Sequence, residues 1–139
     1  NDEDYLYSLA KEVGMEDRFH LLGHVSMDAL PRWYNAADFF VMPNREIDGD
    51  TAGFGMVFIE AAACGKPSIA GSDGGTGSAV VNGITGIRVD GKILAEITDA
   101  LLLLLNDSKL ASEMGKNALA RVRSDYDWAM VAMKTEAIE

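Results

Sequence analysis

Residues 53–67 read GFGMVFIEAAACGKP, and the fold of the chain turns on this run. A glycine stands on either side of Phe54, an apolar helix-like segment with a single carboxylate, Glu60, follows, and Gly65 and Pro67 close it. Glycine suits the left-handed position that stops a helix, and proline cannot extend a helix that ended just before it. The pattern predicts a short helix of about ten residues with a glycine-loosened start and a hard stop. The free N–H groups and positive dipole end of such a helix make a ready anion site, and Gly53 and Gly55 let a ligand approach the backbone. An unpaired carboxylate inside a nearly all-apolar helix is costly. Glu60 is therefore expected to face an opening or to accept hydrogen bonds from a polar partner.

Outward from that run the chain alternates. Residues 3–13 have helix-forming composition with Leu6, Leu9 and Val13 on one face, ended by Gly14. Residues 18–22 form a short extended run stopped by Gly23. Ser26 can cap a helix to about Ala37 with Leu30, Trp33, Tyr34 and Ala37 as its stripe, and Pro31 falls early enough to be tolerated. Residues 39–42 are uninterruptedly apolar, as in a parallel strand buried on both faces. Beyond the central helix come a strand at 68–70, a helical turn at 79–82 and a strand at 85–89. Two amphipathic helices follow, one striped by Ile93, Leu94, Ile97, Leu101 and Leu104, the next by Leu110, Met114, Ala118 and Val122. Trp128 stands near the start of a terminal helical tail.

Strands alternating with helices give an α/β domain with a mainly parallel sheet. Ligands bind such sheets beyond the carboxyl ends of the strands. The segments leaving those ends are GHVS (23–26), NREIDGDTAGFG (44–55) and GSDGGTG (71–77), all rich in glycine and polar groups. The run at 53–58 is not GxGxxG, because its sixth position is Phe58, and no Gly-Lys-Ser/Thr makes it a P-loop.

The 139 residues suffice for one domain with a real core, and 48% hydrophobic and 24% charged residues are a globular composition. A net charge of −10 disfavours nucleic acid and anionic membrane as general partners. The single cysteine, Cys64, excludes an intrachain disulfide and favours a cytoplasmic location. The run LLLLL at 101–105 is too short to span a bilayer. A chain that starts at Asn1 rather than Met is expected to be a fragment of something longer.

GFGMVFIEAAACGKPSIAG resembles the nucleotide-sugar-binding signature of retaining GT-B glycosyltransferases, the group 1, mannosyltransferase-like family. The family pattern has a Glu before Gly-Phe-Gly, a second Glu eight residues after the first, and then an alanine-rich run to Gly-x-Pro. Glu60 matches the second acid; Ala52 occupies the place of the first. FHLLGHVSMDALPRWYNAADFFVMPN is similar to the family's strand, helix and Ala-Asp-strand-Pro section, and GGTGSAVVNGITGIRVDG to its Gly-Gly and Asn-Gly-x-Thr-Gly section. The two terminal helices with Asp127-Trp128 match its C-terminal end.

The resemblance implies a three-layer Rossmann-like parallel sheet, with residues 1–139 as a single partial nucleotide-sugar-binding domain from the C-terminal part of a GT-B enzyme. It implies transfer of a hexose from a nucleotide diphosphate sugar, the substrate, to an unknown acceptor, with no cofactor and no metal. Glu60 would accept hydrogen bonds from the ribose hydroxyls, and Gly53, Phe54, Gly55 and Met56 would contact the donor sugar and its phosphates. Donor-sugar contacts would fall at Glu46, Asp50 or Ala52, and this fragment alone would hold no catalytic residue and be inactive. Read without the resemblance, Glu60 can be a solvent-facing acid and 53–56 an ordinary strand-to-helix turn. Asp48-Gly49-Asp50 could hold a divalent ion but reads better as a solvated loop. The family's acid at the place of Ser78 is missing, as is its early basic pair, which Arg45, Lys66 and Arg88 do not replace. His20 and His24 lack ligand spacing, and Cys64 reads as a small buried side chain. A non-catalytic nucleotide-binding or assembly module is the competing reading.

The implied partners are the donor, a separate N-terminal acceptor domain, and an acceptor that can be membrane-associated through the parent enzyme. The family's sheet has six strands in the order 3-2-1-4-5-6, and the runs at 18–22, 39–42, 68–70 and 85–89 resemble the third to sixth. The strand at 39–42 is then left with a bare edge. Either 18–22 slides across to pair with it, or a second chain covers it, and a homodimer of the fragment is the expected outcome.

Overall fold

The computed structural model of the chain describes residues 2–43, 56–72 and 79–126. The chain divides into two compact units, residues 1–30 and 31–139.

In the first unit, helix α1 spans Asp2–Glu12, with Asp2, Glu3 and Asp4 in its first turn and Lys11 in its last. That charge order complements the helix dipole. Gly14, at φ 74°, ends the element as expected. The anticipated apolar face is not covered within this unit: Leu6 and Leu9 remain 39% exposed and Val13 70%, whereas Ala10 is buried. Thirty residues offer too little chain to cover a helix face. The expected strand at 18–22 does not form. Glu16–Arg18 is a 3-10 turn, and Phe19 has extended dihedrals (φ −119°, ψ 123°), but among the described residues no ladder partner reaches it. An extended run becomes a strand only when its N–H and C=O groups are paired. Ser26 does cap: its Oγ accepts from the Ala29 amide at 3.2 Å, and its carbonyl accepts from the Leu30 amide at 3.0 Å. A turn at 27–29 intervenes, so helix α2 covers only Leu30–Ala36, all but its first residue in the second unit, with Pro31 in its first turn.

In the second unit, β1 (Phe40–Met42), β2 (Ser68–Gly71) and β3 (Gly86–Val89) form a parallel sheet in the order β1-β2-β3. Val41 lies beside Ile69, and Ile69 beside Ile87. All four residues of β2 are buried. β1 is only partly buried, contrary to the expectation of burial on both faces. Among the described residues it has β2 on one side and no strand on the other, so the anticipated pairing of 18–22 with 39–42 is absent.

The alternation of β2 builds three layers. Ile69 and Val89 point to one face and pack with Ala100 and Leu104 of α4 (Leu94–Asn106) and Met114 of α5 (Ser108–Arg121). Ala70 points to the other, with Phe58 of α3 (Met56–Ala63) and with Ala79 and Val80. The stripe expected for the second of these helices holds: Met114, Ala118 and Val122 are buried, and Leu110 packs against the cluster that contains Met114. The α4 stripe starts later than expected, since Ile93 is 43% and Leu94 76% exposed. No helical turn forms at 79–82. There the Thr85 hydroxyl accepts from the Val81 amide at 2.9 Å, and Asn82 bridges to Gly86. A threonine side chain that binds the backbone locally offers an alternative to a helical turn.

Helix α3 is two residues or so shorter than anticipated and ends as its sequence demands. The Lys66 amide donates to the Ala61 carbonyl at 3.0 Å and the Gly65 amide to that of Ala62 at 2.9 Å, with Gly65 at φ 74°. Those two bonds are the Schellman motif, which satisfies the last carbonyls through a left-handed residue. Among the described residues no helix is long and apolar enough to cross a membrane.

Candidate functional site

The parallel strands set the geometry of the site. From the carboxyl ends of β1 and β2 leave the segments 44–55 and 73–78, and α3 follows the first of them. Glu46, Asp48, Asp50, Ala52, Gly53, Phe54, Gly55 and Ser78 all belong to these segments and lie outside the described residues. Met56 and Glu60 are described. Met56 opens α3 and is 47% exposed. Glu60 comes one turn later and is partly buried.

Glu60 has a polar side chain in its neighbourhood. The Tyr34 phenol, on α2, lies near enough to feel the Glu60 carboxylate. Tyr34 is 8% exposed, and its ring lies 5.6 Å from that of Phe40 at 56°. Phe40 in turn meets Phe58 edge-on at 5.6 Å and 74°. A ladder of three rings thus runs from α2 through β1 to α3. Burial, then the Glu60 charge and the hydrogen bond to it, push the Tyr34 phenol up to about 12. The hydroxyl is therefore a donor at neutral pH. One turn beyond Glu60, Cys64 is half-buried rather than buried, because it stands at the helix end. Burial pushes its thiol up, while the Lys66 ammonium pulls it down.

Tyr34 and Glu60 stand 26 positions apart in the chain, so no local pattern links them. A signal existed. A tyrosine on an apolar helix stripe needs a partner for its hydroxyl, and the acid in the apolar α3 needs a donor. Arg88, in β3, gives a second polar group at the carboxyl edge: its Nη2 donates to the Ser72 carbonyl at 3.1 Å. Its Nε is buried and has no partner among the described residues. His20 and His24 are exposed.

A cavity of about 510 Å³ opens at the opposite, amino-terminal end of the strands, lined by Asp38, Lys66, Pro67, Ser108 and Lys116 among others. Parallel α/β sheets bind ligands beyond their carboxyl ends, so its volume does not make it the site.

This three-layer parallel sheet, with α3 following the segment from the carboxyl end of β1, defines the class: it is the fold of the C-terminal domain of GT-B glycosyltransferases. The chain belongs to the family described as glycosyl transferases group 1, whose model matches residues 1–121. A GDP-mannose-dependent alpha-(1-6)-phosphatidylinositol monomannoside mannosyltransferase of Mycobacterium tuberculosis is 37% identical over 131 residues, which are 93% of this chain and 34% of that protein. Sucrose-phosphate synthase from Thermosynechococcus elongatus superposes with a TM-score of 0.81 at 29% identity, over 99% of this chain and 33% of that one. The C-terminal domain of a glycosyl transferase group 1 family protein, LpcC, from Francisella tularensis gives 0.77 at 28% identity, over 89% of this chain and 62% of that one. The chain spans about a third of the length of the curated relatives it matches.

Proposed function

We propose that this chain is the donor-binding part of a longer glycosyltransferase that moves a hexose from a nucleotide diphosphate sugar to an acceptor. The observation that carries the reading is Glu60: a partly buried acid inside an apolar helix that follows the segment from a strand's carboxyl end. Its carboxylate can accept from both hydroxyls of a ribose diol, since a carboxylate offers about four acceptor positions. Gly53, Phe54, Gly55 and Met56 then contact the donor sugar and phosphates, with Glu46, Asp50 or the position of Ala52 at the sugar. The protein's contribution to transfer is positioning and stabilisation of the leaving diphosphate's charge. On this reading residues 1–139 are one partial nucleotide-sugar-binding domain, and the acceptor site lies in another part of the enzyme.

Calorimetric titration with UDP and GDP tests the reading. Glu60→Ala removes a hydrogen bond to a charged group, about 1.5–3 kcal/mol, and so weakens binding by about ten- to more than a hundredfold. Equal affinities of the two proteins remove Glu60 from the site.

Ala52, standing where the family pattern has its first acid, favours a second reading: a nucleotide-binding or assembly module without transfer chemistry. Sugar transfer by the whole protein decides between them. We also propose that a second copy covers the open edge of β1, since an unpaired strand edge invites pairing. A 15.0 kDa species at every concentration in a light-scattering dilution series removes the dimer.

A further inference from the structure

We propose that Arg88 is a binding residue for the diphosphate of the donor: its guanidinium stands at the carboxyl end of β2 with bonding capacity left over. The inference rests on the donor-binding reading above, and adds to that site a cation from the last strand of the sheet.

The geometry carries it. Met42, Ala70 and Arg88 stand in register across β1, β2 and β3. Ile87 packs with the cluster of Ile69 under α4 and α5. Alternation therefore turns Arg88 to the other face of the sheet, where Phe58 of α3 packs with Ala70. From there the side chain reaches the end of the middle strand. Its Nη2 donates to the carbonyl of Ser72, the residue that follows β2, at 3.1 Å. A charge rooted in an edge strand is thus carried to the place where parallel sheets receive their ligands. Helix α3, which follows the segment from the carboxyl end of β1, begins at the same end with Met56.

The chemistry of that arrangement asks for an anion. Arg88 is the one charged residue in β3, with Ile87 and Val89 on either side of it. Among the described residues its acceptor is a neutral carbonyl, and its Nε is buried with no partner. An unmade hydrogen bond at a buried charged donor is costly, so a stronger acceptor arriving at this edge draws the guanidinium round to it. A planar guanidinium matches an anion that offers two oxygens at once, as a phosphate does. The chain's net charge of −10 opposes a diphosphate over most of its surface, and a local cation at the binding edge offsets that field. The bond to Ser72 keeps the side chain at the edge before the ligand arrives, which lowers the cost of binding.

The test separates this contact from folding and from the ribose reading of Glu60. Each protein is titrated by calorimetry with UDP and uridine, and again with GDP and guanosine. The wild type is expected to favour the diphosphate over its nucleoside by well over tenfold. Arg88→Met keeps the stem and removes the cation, so it should cut that ratio by about tenfold or more and leave the nucleoside affinity within about twofold. Arg88→Lys keeps the charge without the fork and should restore part of the ratio. Added salt should lower the wild-type ratio more than that of Arg88→Met. Glu60→Ala, by contrast, should weaken nucleoside and diphosphate alike and leave their ratio in place. If Arg88→Met keeps the wild-type ratio, or loses nucleoside and diphosphate equally, the role of Arg88 is overturned and the donor-binding reading stands. If the wild type binds neither UDP nor GDP, that reading falls and the inference with it. Should Arg88→Met fail to fold, ¹⁵N-labelled wild-type protein answers the question. The Nε–H signal of Arg88 should move with UDP or GDP and stay in place with uridine or guanosine. A signal that moves with neither, or equally with both, overturns the proposal.

Discussion

Phe58→Ala is expected to lower the unfolding free energy by about 3–5 kcal/mol, the range found when a fully buried phenylalanine is emptied from a core. Phe58 is 1% exposed and shares its cluster with Ala70, Ala79 and Val80. Two of these three buried neighbours are alanines, too short to follow the ring into the space it leaves, so only the partly buried Phe40, Met42, Val57 and Ile59 could fill part of the void. The loss extends further than the cavity, because Phe58 is the last ring of the ladder that seats Tyr34. Phe58→Leu keeps most of the volume and should cost less than half as much. Urea denaturation of the three proteins measures both; a loss below about 1 kcal/mol for the alanine variant would mean that the α3 layer collapses freely onto the sheet.

Gly115→Ala runs against the usual rule. Alanine in a helix interior normally stabilises by roughly 0.5–1 kcal/mol relative to glycine. In α5 the sign should reverse. A Cβ on Gly115 would collide with the Gly65 carbonyl oxygen and come within 3.3 Å of Pro67 Cδ. A side chain could rotate away, but a carbonyl cannot move without disturbing the Schellman turn that ends α3. The expected result is a net loss of about 1–3 kcal/mol, the usual cost of overpacking, and a lower melting temperature. A melting temperature equal to or above that of the wild type would show that α5 can slide off the end of α3 at little cost.

These two residues also mark how far the sequence can be read. The strands at 39–42, 68–70 and 85–89, and the stop at Gly65, follow from local rules: an apolar run, a left-handed glycine, a proline. Phe58 is legible as one more apolar position on α3, but its rank in the core is not, because that depends on Ala70 lying opposite. Gly115 looks like a weak point in a helix until α3 is placed against it. The run at 18–22 has strand composition, yet strand formation is a property of pairs, and among the described residues no pairing partner stands beside it. Helix α4 is apolar on every side from Ala100 to Leu105, so the pattern finds Leu104 on its stripe but not Ala100, which contact with the cluster of Ile69 and Val89 buries beside it. At the site, Glu60 is conspicuous as a lone acid, whereas its neighbour Tyr34 comes from a different helix and emerges only when the sheet brings α2 and α3 together.

The four buried residues of β2 have a consequence for how the second unit comes apart. Ile69 belongs to the core under α4 and α5, and its neighbour Ala70 to the core under α3. Adjacent peptide units therefore form the floor of two separate apolar compartments, and the same backbone bonds join β2 to β1 on one side and β3 on the other. Peeling away either helical layer lets water onto this strip and weakens the floor of the other compartment. The two compartments are thus coupled through a wall one residue thick, which makes loss of the sheet a single cooperative event rather than a shedding of layers in turn.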